Sequence, residues 1–293
     1  MKTSNHLLRR LTAALLAAVL ALSIALPVFA SDDGDTIYIN SVSDLLSLAK
    51  SCAYDQWSVG KTVILQKDLS LKGMLWEPIP SFSGQFKGNG HTISDLTITG
   101  QYSPAGLFGI VEEQGSIESL SVRGIVSVSD SADTTTGGIV GINHGTLINC
   151  QFTGVVTGDS EVGGIVGRNE SEGTIDHSTA RAIVTGKSST GGIAGYNLGA
   201  ITGCTNVGSI NTEYQEASLD TDGFTAKMVD QINNKIAAAD DDATNSVTNV
   251  ATDTGGIAGR SSGMILTSVN TGTVGYEHIG YNVGGIVGRT DGL

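Results

Sequence analysis

Cysteine, proline and charged residues are all scarce in this chain of 293 residues. Only Cys52, Cys150 and Cys204 occur, whereas an exported chain stabilised by disulfides usually carries more cysteines, and an even number. Proline occurs 4 times, and charged residues make up 15 % of the chain. Apolar residues are plentiful and regularly placed, which argues against disorder. The 40 glycines do not recur at every third position, so the chain is not collagen-like.

Signatures of catalysis are also missing. A zinc peptidase needs His-Glu-x-x-His, and the four histidines after residue 30 do not have that spacing; they are His91, His144, His177 and His278. The glycine blocks lack the lysine and the helix of a phosphate cradle, and no serine-nucleophile elbow is expected. The nonapeptide calcium repeat is absent. We therefore predict no enzyme in this chain, no catalytic or cofactor-binding residues, no metal site and no cofactor.

Residues 1–30 read as a signal peptide. Lys2, Arg9 and Arg10 precede an apolar run from 11 to 26, and small residues flank a predicted cleavage site after Ala30. The alternative is an uncleaved anchor, although the run is short for a membrane span. This segment holds three basic residues and no acidic one, so its removal changes the formal net charge from −13 to −16. Such a chain repels nucleic acid and anionic membranes, and we expect it to be secreted or displayed at the cell surface without a later membrane span.

A five-residue block recurs along the mature chain. Its copies are Gly137–Gly141, Gly163–Gly167, Gly191–Gly195, Gly255–Gly259 and Gly284–Gly288, after a degenerate copy at Ala105–Gly109. The spacings are 32, 26, 28, 64 and 29. The spacing of 64 fits either two periods or one period with an insertion of about 36 residues.

The residues after each block also align, with the period of two that is typical of strands with one buried face. One column holds Ile117, Leu147, Ile175, Ile201 and Ile265, and another holds Val126, Val156, Val184, Ile210 and Val274. Between them lie Leu120, Cys150, Ser178, Cys204 and Ser268, then Val122, Phe152, Ala180, Asn206 and Asn270, then Gly124, Gly154, Ala182, Gly208 and Gly272. Ile93, Leu96, Ile98 and Gly100 fit the positions of Ile117, Leu120, Val122 and Gly124 one period earlier.

This pattern predicts an all-β fold, a right-handed parallel β-helix in which each repeat forms one coil and equivalent residues stack. Leucine ladders, helical stripes and propeller-length repeats are absent. Asn143, Asn169 and Asn197 share one position, and we expect stacked amides at a corner; a ligand-binding row is the alternative. Cys150 and Cys204 lie two coils apart, about 9–10 Å, too far for a disulfide. We interpret them as small core residues.

The two ends and one interruption depart from the repeat. Residues 31–92 are predicted to form an N-terminal cap and the first coils, with a strand leading into a helix capped by Ser41. Trp76 and Phe86 should close the core there, although Trp57 and Trp76 could instead form a sugar-stacking platform. Residues 93–293 are the repeat array, interrupted at 213–250 by one short amphipathic helix that is either a partner site or a bland excursion. Because the chain stops within a repeat at Leu293, we expect a truncated array with further domains beyond it.

The blocks resemble the GLUG motif, named after its Gly-Leu/Ile-any-Gly core. The leader also resembles the segment that precedes such repeats in bacterial surface proteins, from Val63 through Trp76–Ile79, Phe86–Ile93 and Gly106–Gly109. The resemblance implies an adhesin-like, non-catalytic surface module or the spacer region of a larger IgA-specific zinc metallopeptidase. The expected partner is an unidentified extracellular protein or glycan.

A carbohydrate-active β-helix enzyme, a polysaccharide lyase or glycosidase, is the enzymatic alternative, because such enzymes share this fold. Its acid and base would come from carboxylates that we expect in turns, namely Asp130, Asp133, Asp159 and Glu161. Arg168, Arg260 and Arg289 recur at one position, which is more typical of a solvated face.

Overall fold

The computed structural model describes residues 35–54, 56–128, 134–212, 252–275 and 281–291. From Asp35 onward the chain forms one compact unit. It is a parallel β-helix: each coil passes in turn through four parallel sheets, which we name sheets I to IV in the order in which a coil meets them. One helix, α1 (Val42–Ser51), lies near the start. The all-β prediction with an N-terminal helix is confirmed.

Each sheet is built from strands that successive coils contribute, and two coils contribute two short strands each to sheet IV. Sheet I contains Thr135–Gly137, Glu161–Gly163, Ser188–Gly191, Thr252–Gly255 and Tyr281–Gly284. Sheet II contains Ile79–Phe82, Phe108–Val111, Val140–Asn143, Val166–Asn169, Ala194–Asn197, Ala258–Ser261 and Val287–Thr290. Sheet III contains Thr36–Ile39, Thr62–Leu65, Gln85–Lys87, Ser116–Glu118, Thr146–Ile148, Thr174–Asp176, Ala200–Thr202 and Met264–Leu266. Sheet IV contains Leu69–Ser70, Thr92–Gly100, Ser121–Val128, Gln151–Thr157, Thr179–Thr185, Thr205–Asn206, Ser209–Ile210, Val269–Asn270 and Thr273–Val274.

The glycine block makes the corner between sheets I and II. Gly137 ends the strand of sheet I, Gly138 and Ile139 form the turn, and Val140 begins the strand of sheet II. A Cβ at Gly138 would lie 2.5 Å from the carbonyl oxygen of Gly164 in the next coil. The block therefore needs glycine at this position because successive coils approach too closely for a side chain.

The predicted columns are confirmed by the register of the strands. Leu147 pairs with Ile175, Val156 pairs with Val184, and these side chains are buried in the interior. About 4.8 Å separates paired strands, so each interior column forms a continuous apolar ladder along the axis. Burial of these ladders is the main stabilising contribution to such a fold.

The spacing of 64 residues is a single period with an insertion. Gly191 pairs directly with Gly255, and Ile201 pairs with Ile265 one coil away. No additional coil therefore lies between these strands. The helix predicted within 213–250 and the signal peptide predicted at 1–30 fall outside the described residues.

The register predicted for the earliest repeat is wrong. Phe86, not Ile93, pairs with Ile117, and Ile93 pairs with Val122 instead. The strand Thr92–Gly100 then contains a bulge between Ile93 and Leu96, where Asp95 adopts a φ of 59°. An inserted bulge residue shifts the alternation of buried and exposed positions, which the simple template could not represent.

The N-terminal cap forms as predicted. The Ser41 side chain accepts a hydrogen bond from the Asp44 N–H at 3.2 Å, and the Asp44 carboxylate accepts one from the Asn40 N–H at 2.9 Å. Leu45 and Leu48 of α1 are buried. Helix α1 therefore places apolar side chains in the core at the first coils.

An aromatic cluster fills the interior beside this cap. The rings of Phe82, Phe86 and Phe108 lie 5.3–6.3 Å apart between centroids, in tilted and edge-on arrangements. Phe86 and Trp76 are both buried, which confirms their predicted place in the N-terminal core. Such aromatic pairs stabilise a core beyond their buried area.

Candidate functional site

The asparagine column at the corner between sheets II and III is structural. Asn143 Nδ2 donates to Asn169 Oδ1 at 2.8 Å, and Asn169 Nδ2 donates to Asn197 Oδ1 at 2.8 Å. All three side chains are buried. The predicted stack of amides is therefore confirmed. Its amide groups are hydrogen-bonded within the protein and are not available to a ligand.

The cysteines are core residues rather than nucleophiles. All three are free and buried. The Cys150 thiol donates to the carbonyl oxygens of Ile117 and Ile148, each at 3.4 Å. Burial raises the pKa of Cys150 to about 12 and that of Cys204 to about 11, so neither thiol ionises near neutral pH.

One string in the chain does match Gly-x-Ser-x-Gly, at Gly259–Gly263, contrary to expectation. Its serine, Ser261, ends a strand of sheet II and is 4 % exposed. The Ser261 hydroxyl accepts from Asn197 Nδ2 at 3.2 Å and donates to the Gly263 carbonyl. A nucleophile elbow needs an exposed serine between a strand and a helix, and Ser261 instead extends the asparagine column.

A column of arginines crosses the outer face of sheet II. Arg168 and Arg260 flank Tyr196 in register, with guanidinium carbons 5.1 and 5.0 Å from the ring centroid. Arg289 follows Arg260 in the next coil. Tyr196 was not recognised in the sequence as part of this column because its residue type differs.

Carboxylates neutralise these arginines. Arg168 pairs with Glu161 at 2.9 Å and with Glu170 at 2.7 Å, while Arg260 and Arg289 both pair with Asp291. Burial raises the pKa of the Glu161 carboxyl, although Arg168 beside it favours the ionised form. The column is therefore an internally paired network, with little net charge to offer a ligand.

The carboxylates considered for catalysis do not form a site. Glu161 was expected in a turn but lies in the strand Glu161–Gly163. This strand pairs with a strand of sheet I on each side, and the pairing keeps its backbone extended. Asp159 does lie at a bend and pairs with Lys187 at 2.5 Å. Asp130, Asp133 and His278 fall outside the described residues. Among the residues that the structure describes, no group of three His, Cys, Asp or Glu side chains is placed to hold a metal ion.

The aromatic platform considered for sugar stacking is wrong. Trp76 is 2 % exposed, and its Nε1 donates to the Leu107 carbonyl oxygen at 3.1 Å. Trp57 lies under Lys61, 5.3 Å from the ammonium nitrogen to the ring centroid. The two indoles therefore cannot present one flat surface.

The outer face of sheet IV is the best candidate for a binding surface. Arg123, Thr153 and Arg181 stand in one column, because their strands pair in register. A second column two residues further along the strands holds Ile125, Val155 and Ile183. Both arginines are exposed, and Ile125 remains 47 % exposed.

A shallow groove of about 400 Å³ begins between these columns at Thr153, Arg181 and Ile183 and continues to Val207 and Ser209 of the next coil. Arg123, Ile125 and Val155 lie beside it on the same face. Its floor is the backbone of Gly154, Ala182 and Gly208. Gly154 cannot carry a side chain without a shift of the backbone, since a Cβ there would lie 1.8 Å from the Gly124 carbonyl oxygen. Gly154 also has a φ of 150°, which side chains rarely adopt. Glycine at 154 and 208 leaves these parts of the floor without side chains.

The strands that border this groove carry no acidic residue, whereas Asp95 lies in the bulge of the earlier strand Thr92–Gly100 that faces Arg123. From Ser121 onward, the described strands of sheet IV contain Arg123 and Arg181 but no Asp or Glu. By contrast, sheet I carries Glu161 and Asp253, and sheet III carries Glu118 and Asp176. In a chain with 29 acidic and 16 basic residues, these strands of sheet IV are unusual in carrying arginines without carboxylates.

A second groove of about 500 Å³ runs over the corner between sheets II and III. It is lined mainly by small residues, with Leu198, Met264 and the carboxylate of Glu172 at its sides. It offers no cationic group. The groove on sheet IV combines charge, hydroxyls and apolar surface, and we therefore take it as the candidate site.

The GLUG motif family matches residues 158–185. The chain carries the GLUG motif. The matched segment begins at Gly158, passes through strands of all four sheets and ends at Thr185, so one GLUG motif corresponds to one coil of the helix. The segment also contains Arg181 and Ile183, which line the candidate site.

Two curated proteins resemble parts of this chain. Halomucin of Haloquadratum walsbyi is 32 % identical over 155 residues, which cover 48 % of this chain and 2 % of halomucin. A protein of Evansella cellulosilytica described as a Gly-rich membrane protein is 29 % identical over 137 residues, covering 34 % of this chain and 16 % of that protein. The chain thus spans only a small part of either relative.

A solved structure confirms the fold. A Bacteroides ovatus protein assigned as an immunoglobulin A1 protease matches with a TM-score of 0.52 and 18 % identity, over 87 % of this chain and 73 % of that one. At this identity the likeness establishes a shared fold and carries no activity to this chain. No helix among the described residues is long and apolar enough to cross a bilayer.

Proposed function

We propose that this chain is a non-catalytic, adhesin-like interaction module that is secreted or displayed at the cell surface. The observation that carries the proposal is the long lateral face of sheet IV, with its groove and its exposed arginines and aliphatic side chains. A regular stack of coils presents the same surface chemistry repeatedly, which suits attachment to an extended partner. The names of the two curated relatives, halomucin and a Gly-rich membrane protein, agree with a surface role.

The side chains around the groove support binding rather than bond cleavage. Glycoside hydrolysis uses a pair of carboxylates across the scissile bond, and none of the residues that line this groove is acidic. Serine chemistry is also disfavoured, because Ser261 is buried and hydrogen-bonded on both sides. Residues 1–30 would direct export, and the net charge of −16 after their removal suits solubility outside the cell.

Binding assays with the purified chain test this proposal. Glycan arrays and immobilised extracellular proteins should reveal at least one saturable ligand. An absence of binding to every glycan, matrix protein and partner protein would contradict it. The enzymatic alternative predicts release of unsaturated or reducing ends from acidic polysaccharides. Such release, lost on substitution of a single carboxylate such as Asp159→Asn, would replace our proposal.

A further inference from the structure

We propose that the outer face of sheet IV, from Arg123 to the groove beside Arg181, binds a linear acidic polysaccharide that carries a carboxylate on every second sugar. This inference rests on the proposed role as a binding module and names the ligand class and its site. It is carried by the spacing of two cations along the axis of the coils. The polysaccharide would lie along that axis, across the strands.

The two arginines define the spacing. Arg123 and Arg181 occupy the same column, with Thr153 in the coil between them. Two coil steps separate them by about 9.6 Å along the axis. This distance is close to the length of one disaccharide unit in an extended polysaccharide. A guanidinium recognises a carboxylate through two parallel hydrogen bonds, so a carboxylate on alternate sugars would meet each arginine in turn.

Both guanidinium groups are available for a ligand. They are exposed, and neither makes an ion pair within 4.0 Å among the described residues. The arginines of sheet II differ, because Arg168, Arg260 and Arg289 are each paired with a carboxylate. The strands on either side of Arg181 carry no carboxylate, which favours an anion there, whereas Asp68 and the bulge residue Asp95 lie near Arg123.

The rest of the groove matches the two kinds of surface that a sugar presents. Pyranose rings have C–H faces that pack against aliphatic groups. Ile183 and Val207 line the groove, and Ile125 and Val155 continue the Ile183 column beside it. Sugar hydroxyls need hydrogen-bonding partners, and Thr153 and Ser209 line the groove. The backbone floor at Gly154 and Gly208 lets a flat ring approach closely. An acidic peptide would share only the charge, not these two surfaces.

The test measures binding of a hyaluronan octasaccharide, which carries a carboxylate on alternate sugars, to the whole chain by calorimetry. Arg123→Gln combined with Arg181→Gln should weaken binding by at least about tenfold. The matched control, Arg260→Gln with Arg289→Gln, removes the same charge from sheet II and should change affinity by less than about twofold. Added salt should weaken binding by the wild-type chain. Circular dichroism should confirm that both variants fold.

Binding measurements with other ligands and a further variant distinguish this inference from its alternatives. A chitin oligosaccharide of equal length, which has no carboxylate, should bind at least about tenfold more weakly than hyaluronan. Thr153→Lys, which places a cation on the intermediate coil, should raise affinity for polygalacturonate, which has a carboxylate on every sugar.

Three outcomes would overturn the inference. Hyaluronan and poly-glutamate could bind with equal affinity, or the sheet II control variant could lose as much affinity as the sheet IV variant. The double substitution on sheet IV could also leave the affinity unchanged. If hyaluronan does not bind but another glycan or protein does, the inference fails and the proposed binding role stands. If nothing binds, both fail.

Discussion

The side-chain amide of Asn143 donates a 2.8 Å hydrogen bond to Asn169 Oδ1, 26 residues further along the chain and one coil away. Asn169 repeats the contact to Asn197, and each amide also donates to the carbonyl oxygen of a glycine in its own turn: Gly145, Gly173 and Gly199. The column lies in the interior without access to solvent. It therefore links three coils through polar contacts that water cannot replace.

Asn169→Ala should lower the free energy of unfolding by about 2–3 kcal/mol, because it leaves Asn197 Oδ1 and one N–H of Asn143 Nδ2 buried without their partners. Guanidinium denaturation followed by circular dichroism measures the change. Ser171→Ala, on the same coil but exposed, serves as the control and should stay within about 0.5 kcal/mol of wild type. Equal midpoints for both variants would show that the column contributes nothing.

The glycine column of sheet IV offers a matched pair of substitutions. Gly154→Ala should destabilise the fold by more than about 2 kcal/mol, because the new Cβ would lie 1.8 Å from the Gly124 carbonyl oxygen at a φ of 150°. Ala182→Gly, one coil away in the same column, should cost no more than about 1 kcal/mol. Thermal unfolding compares them, and a Gly154→Ala variant as stable as wild type would argue against the close approach of these coils.

The buried carboxyl of Glu161 should make stability depend on pH. Its pKa in the folded protein is raised, mainly by burial, so the fold favours the protonated form relative to the unfolded chain. The contribution is fully present below the ordinary pKa of 4.5 and is lost as pH rises through the raised value. Glu161→Gln should therefore gain stability relative to wild type as pH rises from about 4 to 7. Denaturation midpoints at several pH values measure it, and a difference that shrinks with pH would reverse the assignment.

The three cysteine thiols should be inert in the native protein. Burial raises the pKa of Cys52 to about 11, that of Cys150 to about 12 and that of Cys204 to about 11. Because the thiolate is the reactive form, a colorimetric thiol reagent at pH 8 should label no cysteine in the folded chain and all three in denaturant. Rapid labelling of Cys150 without denaturant would show that its coil is open to solvent.

The interior of this fold was predictable from the sequence because stacking makes equivalent positions chemically alike. Leu147 and Ile175 align by the repeat alone, and so do the amides of Asn143 and Asn169. The predicted register was wrong at Ile93, because a bulge at Asp95 breaks the alternation of buried and exposed residues. A periodic template has no place for an extra residue in one strand.

The candidate site was less predictable, because outward positions vary from coil to coil. Arg123 and Arg181 are separated in their column by Thr153, so the repeat gives no visible run of cations. The absence of carboxylates from the strands around Arg181 is visible only when charges are sorted by sheet. That signal existed in the sequence: once the strands of sheet IV are assigned, the absence of Asp and Glu from Ser121 onward can be read directly.

The most direct test of the account asks whether residues one period apart lie side by side. Gln151 and Thr179 pair in register on the outer face of sheet IV, and their Cα separation of about 4.8 Å can be bridged by a disulfide. Gln151→Cys with Thr179→Cys should form an intrachain disulfide under mild oxidation, detected by mass spectrometry. Gln151→Cys with Thr205→Cys, two coils apart, should not. Cross-linking of the second pair but not the first would contradict the stacking of coils on which the fold and the proposed site both depend.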